Sequence, residues 1–375
     1  MIIGILNEIR VHENRVLLIP NDVKELVEEG HQVFVEKDAG IDSNYADYEY
    51  EEAGATILPS SEKIFQKANF IVKVLPPRPI DYEMFTEDHI GFCFLHLPTN
   101  PERLQKLLKC NSIFFSSELI KTGENICPIL APMSEIAGKI AIFEAAKYLE
   151  KPSDGKGISL FSVNGLPPAT VTIIGAGIAG SAAASHALQN GANVNLLDID
   201  FHKVELFGKK NESDRLHTFE YSRAILDELL GNTDVLITAI MKYGFPTPKI
   251  LSQKELKILP KKSIMIDLSI DQGGCLESSR PTTHDNPVYI QDDIIHYAVA
   301  NLPSAVPNTS SRALSAAALP YIKQIASMGF QEAISISSEL RQGLSIYKGK
   351  VVHPQIAKVH GHEYYPILEL LELNI

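Results

Sequence analysis

The chain has 375 residues, 45% hydrophobic and 21% charged, enough for two domains with separate cores and ordinary for a globular protein. A formal net charge of -12 argues against a nucleic acid or an anionic membrane as partner. No apolar run reaches 18 residues, the N-terminus has no signal-peptide core, and the four cysteines show neither CxxC nor metal spacing. A chain of reduced thiols in the cytoplasm is expected, with no membrane span.

From the N-terminus, Ile2–Leu6 reads as a short apolar strand and 21–29 as a helix opened by a capping Asn. A strand at 31–36, a helix at 47–53 and apolar runs at 70–75 and 90–96 follow, a parallel α/β alternation. Residues 132–150 form a long helical segment with small residues at Ala137, Gly138 and Ala141, suited to a connector between domains. After a Gly- and Pro-containing loop the alternation restarts with strands at 170–174, 192–197, 235–238, 263–270 and 294–299. A second long helix is expected at 311–329, and the last 45 residues are mixed. The simplest account inserts a Rossmann-type nucleotide domain (131–307) into a second, Rossmann-like α/β substrate domain (1–130 plus 308–375).

The strand at 170–174 runs into Gly175-Ala-Gly177-Ile-Ala-Gly180 and then an Ala-rich helix, a GxGxxG in its proper strand–turn–helix setting. Gly175 permits the tight turn, Gly177 leaves room for a pyrophosphate, and Gly180 lets helix and strand pack closely. The helix N-terminus supplies amide donors for phosphate. The next strand ends in Asp198, 18 residues past Gly180, placed to accept hydrogen bonds from a ribose and repel a 2′-phosphate. NAD is therefore expected over NADP, although Lys203 nearby could tolerate a phosphate. FAD shares the fingerprint, but flavoproteins usually carry it at the extreme N-terminus, which favours nicotinamide here.

The run 263–271 ends in Asp271 and is followed by Gly273 and Gly274. In open α/β sheets ligands sit beyond the carboxyl ends of strands, so Asp271 reads as part of a site. In the first half, Arg15 precedes an apolar run, Lys73 lies inside the apolar strand 70–75, and His96 closes the strand 92–96. A Lys amid Val and Ile is expensive to bury without an anionic partner, and the alternative is a strand-end lysine reaching solvent. As a set, two cations and a proton carrier opposite an NAD domain suit a small carboxylate substrate whose oxidised form is a carbonyl.

Long segments carry a resemblance. Gly4–Val16 (GILNEIRVHENRV), Val72–Val74, Phe94–Leu97, Leu130–Gly138, Gly175–Gly180, Ile270–Pro287 and His296–Pro303 follow one another with the spacing of one family. The chain resembles the alanine dehydrogenase branch of the alanine dehydrogenase/transhydrogenase family over nearly its whole length. The resemblance implies reversible NAD-dependent oxidative deamination of L-alanine to pyruvate and ammonium, in a cleft between the domains of a homo-oligomer, a hexamer in the family. Carried over by position, Arg15 and Lys73 hold the substrate, His96 is the general acid/base and Asp271 orients ammonia or water. Ser134, Gly177, Ile178, Asp198, Lys203, Arg280 and Asn301 fall on cofactor-contact positions. So do Ala239 and Ile240, then Leu268, Ser269 and Ile270, and Val299, Ala300 and Leu302.

The chain departs from the family at Leu75-Pro76-Pro77, where Lys-Glu-Pro is usual, and at Ser315-Ala316-Ala317-Ala318, where Thr-Asn-Ala-Thr is common. Gln324 and Met328 replace metal-associated residues of some members, so no metal is expected. His353, His360 and His362 fit no common metal spacing and read as exposed; Cys275 reads as a packing residue. The departures leave open a different amino or imino acid as substrate. A transhydrogenase-type NAD(H)-binding subunit is a further alternative, which Lys73 and His96 argue against, and a non-catalytic NAD-sensing module is a remote one.

Overall fold

The structure, a computed structural model, describes residues 1–373. Six strands come first: β1 (Ile2–Ile5), β2 (Gln32–Glu36), β3 (Thr56–Leu58), β4 (Phe70–Val72), β5 (Ile90–Cys93) and β6 (Ile113–Ser116). Seven more follow, β7 (Thr170–Ile174), β8 (Asn193–Asp198), β9 (Leu216–Glu220), β10 (Val235–Thr238), β11 (Ile264–Asp267), β12 (Val288–Gln291) and β13 (Ile294–Tyr297). β14 (Leu344–Tyr347) and β15 (Lys350–Val351) complete the set. The chain divides into two compact units, one of Met1–Met133, Tyr243–Phe245 and the residues from Ser304 onward, the other of Ser134–Lys242 and Pro246–Pro303.

The first unit is built on an eight-stranded sheet of order β15-β14-β6-β5-β4-β1-β2-β3. β3 through β6 are mutually parallel, with β1 between β2 and β4. This is the doubly wound order, whose switch point lies where β1 meets β4. β1, β4, β5 and β6 are buried along almost their whole length, so they read as continuous apolar runs without alternation. β14 pairs antiparallel with β6, which places the mixed tail on the same sheet.

The second unit repeats the arrangement in a seven-stranded sheet, β12-β13-β11-β10-β7-β8-β9, with its switch point between β7 and β10. Only its edge strand β12 runs antiparallel. The small residues on the helix Ala131–Leu149 have a steric reason: a Cβ on Gly138 would lie 2.2 Å from the Ala179 carbonyl oxygen of the helix Ile178–Gln189. No helix among the described residues is long and apolar enough to cross a membrane.

Three expectations from sequence change. β4 stops at Val72 and β5 at Cys93, so Lys73 and His96 lie on the connections beyond the strands and not within them. β11 ends at Asp267, and Asp271 follows in a short helical turn. His353 is buried, not exposed. Its Nδ1 accepts the Ile356 amide at 3.4 Å and starts the helix Pro354–His360, while Nε2 faces the Tyr243 hydroxyl at 3.4 Å. Burial pushes its pKa down to about 4.

Because the folded His353 pKa lies below the unfolded value of about 6.5, the unfolded chain binds the extra proton between pH 6.5 and 4. Stability present above pH 6.5 is therefore lost as pH falls through that window, by about 3 kcal/mol from this group. Urea unfolding of wild type and His353→Gln at pH 7 and pH 5 should show a flatter pH dependence in the variant; equal slopes would remove His353 as the cause.

Candidate active site

In the first unit, polar groups gather on the connections that leave the carboxyl ends of β1, β4, β5 and β6. The β1–β4 pairing brings Glu8 beside Lys73, 65 residues away in sequence. Lys73 is 3% exposed, and its Nζ donates to Glu8 Oε2 at 2.8 Å and to the Pro76 carbonyl at 3.1 Å. Glu8 Oε1 accepts the amides of Val74 at 2.7 Å and Leu75 at 3.0 Å. Burial pushes the Glu8 carboxyl up, and Lys73 opposes that rise. Removing one partner of such a buried pair typically costs about 3–5 kcal/mol, since the other charge stays behind. The pair borders a cavity of about 440 Å³ whose walls include Pro76, Pro77, Arg10 and Arg103.

Arg15 lies on the connection from β1 to the helix Pro20–Glu28 and is equally buried. Its Nε and Nη2 meet the two Glu13 oxygens at 2.6 Å each, a forked pair, and Nη1 points at Met133 Sδ at 3.3 Å. His96 is half-buried in the left-handed region at φ 47°, ψ 42°, which costs a non-glycine residue about 1–2 kcal/mol. Its ring stacks against Phe94. The amides of His96 and Leu95 donate to the buried Glu118. Two cations paired with carboxylates, and an imidazole whose backbone amide is held by a third, make a set that can orient an anion and move a proton.

The second unit holds the fingerprint. Gly175 sits at φ +108°, and a Cβ on Gly180 would lie 1.7 Å from the Gly175 carbonyl oxygen, so turn and helix pack without side chains. A Cβ on Gly177 would meet nothing within 4 Å, and no side chain caps the helix Ile178–Gln189 that it begins. Its first amides are therefore directed at open space, as a pyrophosphate requires. Asp198 Oδ2 accepts the Ala176 amide at 2.7 Å and Oδ1 the Asp200 amide at 2.9 Å. A carboxylate has about four acceptor positions, so ribose hydroxyls can still be taken. Ala176, Ile178 and Lys203 line a cavity of about 630 Å³ beside this turn. These residues fit an adenine dinucleotide.

The remaining expected positions divide. Ser269 Oγ donates to the Ile240 carbonyl at 2.8 Å and accepts the Ile240 amide at 2.9 Å, joining the Ala239–Ile240 connection to Leu268, Ser269 and Ile270. Asp271 Oδ2 accepts the Asn301 amide at 3.3 Å, and Asn301 is itself left-handed at φ 57°. This draws Val299, Ala300, Asn301 and Leu302 to the Asp271 turn. Ser134 is half-buried near the start of its helix; Lys203 is exposed near Asp200; Arg280 is exposed over the Tyr289 ring.

The sequence reading missed Glu8, Glu13, Glu118 and Asp267. Asp267 is 2% exposed and accepts from Thr238 Oγ1, the Ser269 and Cys275 amides and Ser279 Oγ. It holds together the loop that carries Asp271. Its signal was available: a second acid ends the apolar run four residues before Asp271. Cys275 is fully buried, and burial pushes its thiol up to about 12, as a packing residue behaves.

Two family models cover nearly the whole chain. Residues 4–137 match the alanine dehydrogenase/PNT N-terminal domain and residues 141–354 its C-terminal domain. The chain belongs to the alanine dehydrogenase/PNT family. It is 39% identical over 371 residues to an alanine dehydrogenase of Methanococcus maripaludis, covering 98% of each chain. Alanine dehydrogenase 2 of Staphylococcus aureus is 38% identical over 378 residues, spanning both chains completely. A solved L-alanine dehydrogenase superposes with a TM-score of 0.89 at 33% identity, over 96% of this chain and 99% of the other. A transhydrogenase from Sinorhizobium meliloti shares the fold, with a TM-score of 0.75 at 22% identity over 94% and 99%.

The Gly180 contact yields a test in this family's fingerprint. Gly180→Ala should force the Gly175 turn open and weaken NADH binding at least about tenfold, or 1.4 kcal/mol, in a fluorescence titration. Unchanged NADH affinity would show that this turn does not hold the dinucleotide.

Proposed function

We propose that the chain catalyses the reversible NAD-dependent oxidative deamination of L-alanine to pyruvate and ammonium. The observation that carries the reading is the carboxylate-held set of Arg15, Lys73 and His96 in a chain that also folds a dinucleotide turn. Hydride exchange between two nucleotides needs neither a substrate-holding ammonium nor an imidazole, which favours deamination over a transhydrogenase-type subunit. The full-length likeness to alanine dehydrogenases supports alanine as the amino acid.

NAD, when bound, supplies the hydride acceptor. Gly175, Gly177, Gly180 and Asp198 hold its pyrophosphate and ribose. Arg15, oriented by its fork to Glu13, binds the substrate carboxylate. Lys73 polarises the carbonyl or imine oxygen. His96 takes and returns a proton at the carbinolamine oxygen. Asp271 orients ammonia or the attacking water and stabilises the cationic imine. In this reading residues 1–130 plus 308–375 form the substrate domain and residues 131–307 the NAD domain. A cytoplasmic homo-oligomer, a hexamer, completes the reading.

The rival with its own observation is a different amino or imino acid: Pro76 takes a Lys73 hydrogen bond in a loop that departs from the family's pattern. A panel of amino acids with NAD, followed by NADH absorbance, should give L-alanine the highest kcat/KM; a larger value for another amino acid would replace the substrate. His96→Ala should lower kcat by about 10²–10⁴-fold while NADH binding persists. Retained turnover would remove its acid/base role.

A further inference from the structure

We propose that Glu118 is a positioning residue of this reaction that acts through His96. The proposal rests on the His96 assignment above. β5 and β6 run parallel with Cys93 opposite Ser116, so two residues past β6 the chain sets Glu118 against Leu95 and His96. Glu118 is 2% exposed and directs one oxygen to each successive amide, Oε1 to His96 at 2.7 Å and Oε2 to Leu95 at 3.1 Å. Among the described residues no cation pairs with it, so the charge is buried for the sake of those two amides. A carboxylate supplies two acceptors in a fork, which a hydroxyl or an amide cannot.

The consequence falls on the imidazole. His96 holds φ 47° and ψ 42°, a conformation that is costly for a non-glycine residue and that the bond from its amide to Glu118 helps to hold. From the other side Arg103 Nη1 donates to the Leu95 carbonyl at 2.6 Å, so the turn is clamped on both faces. Relaxing His96 to a right-handed or extended conformation would swing its side chain away from where it stacks on Phe94. Glu118 touches no reacting atom in this account; it sets where the proton carrier stands. The other two members of the set are held by direct side-chain ion pairs, Arg15 by Glu13 and Lys73 by Glu8. At His96 the carboxylate acts on the backbone, through the amides of Leu95 and His96.

The test is a double-mutant cycle. Glu118→Ala should lower kcat about 10²-fold, with NADH affinity within about twofold of wild type, because general acid–base contributions of that size depend on placement. Glu118→Gln, which keeps one acceptor and the side-chain volume, should fall between the two and completes the same cycle if the alanine variant does not fold. In a His96→Ala background either Glu118 change should cost less than about twofold, since residues that act as a unit are not additive. A Glu118 variant within about threefold of wild-type kcat, or one that loses the same factor in both backgrounds, would overturn the proposal. A fully active His96→Ala enzyme would instead overturn the assignment on which it rests.

Discussion

An ammonium group placed where β4 ends, 3% exposed, has to be neutralised within the fold, and the rest of the first unit follows from how that is done. Desolvating an ion costs several kcal/mol, which an opposite charge repays only with good geometry and with its own remaining lone pairs satisfied. Glu8 meets both conditions, taking Lys73 on one oxygen and two amides of the next connection on the other. That bond fixes the ammonium, the Val74–Leu75 backbone and the end of β1 as one piece. The order of the sheet makes it possible, because only the β1–β4 adjacency brings residue 8 beside residue 73.

The same solution recurs with different partners. Arg15 is forked onto Glu13, two residues away; the His96 turn is fixed by Glu118; the Asp271 loop is gathered by Asp267. Acidic groups in these places are structural anions, and the groups they hold are the ones the proposed reaction uses. In the second unit the arrangement is of another kind. There the dinucleotide turn depends on the absence of side chains, since Gly175 and Gly180 are packed too closely for a Cβ and Gly177 opens onto free space. One switch point presents charge and the other presents backbone amides.

Much of this was readable from residues. The fingerprint, its Asp198 and the strand–helix alternation rest on local motifs and short apolar runs, which tertiary contacts did not override. Lys73 was legible as a cation in need of an anion, but the anion was not. Which strand ends lie side by side depends on sheet order, and no spacing between residues 8 and 73 encodes it. Glu118 was hidden for the same reason, since its role depends on β5 and β6 being neighbours. His353 was misread because a polar residue in a mixed tail gives no sign that β14 will carry it onto a buried edge. The strands were predicted too long at 70–75, 92–96 and 263–270 because apolar residues continue past the strand ends, where carboxylates accept the amides of Val74, Leu95 and Ser269.

The central claim is that Glu8 sets the position of Lys73 for the substrate binding proposed above. Steady-state kinetics of Glu8→Gln with pyruvate, ammonium and NADH tests it most directly. The account predicts a rise of at least about tenfold in KM for pyruvate, 1.4 kcal/mol of lost binding, with the NADH dissociation constant unchanged. A pyruvate KM equal to that of wild type in a folded Glu8→Gln protein would contradict it.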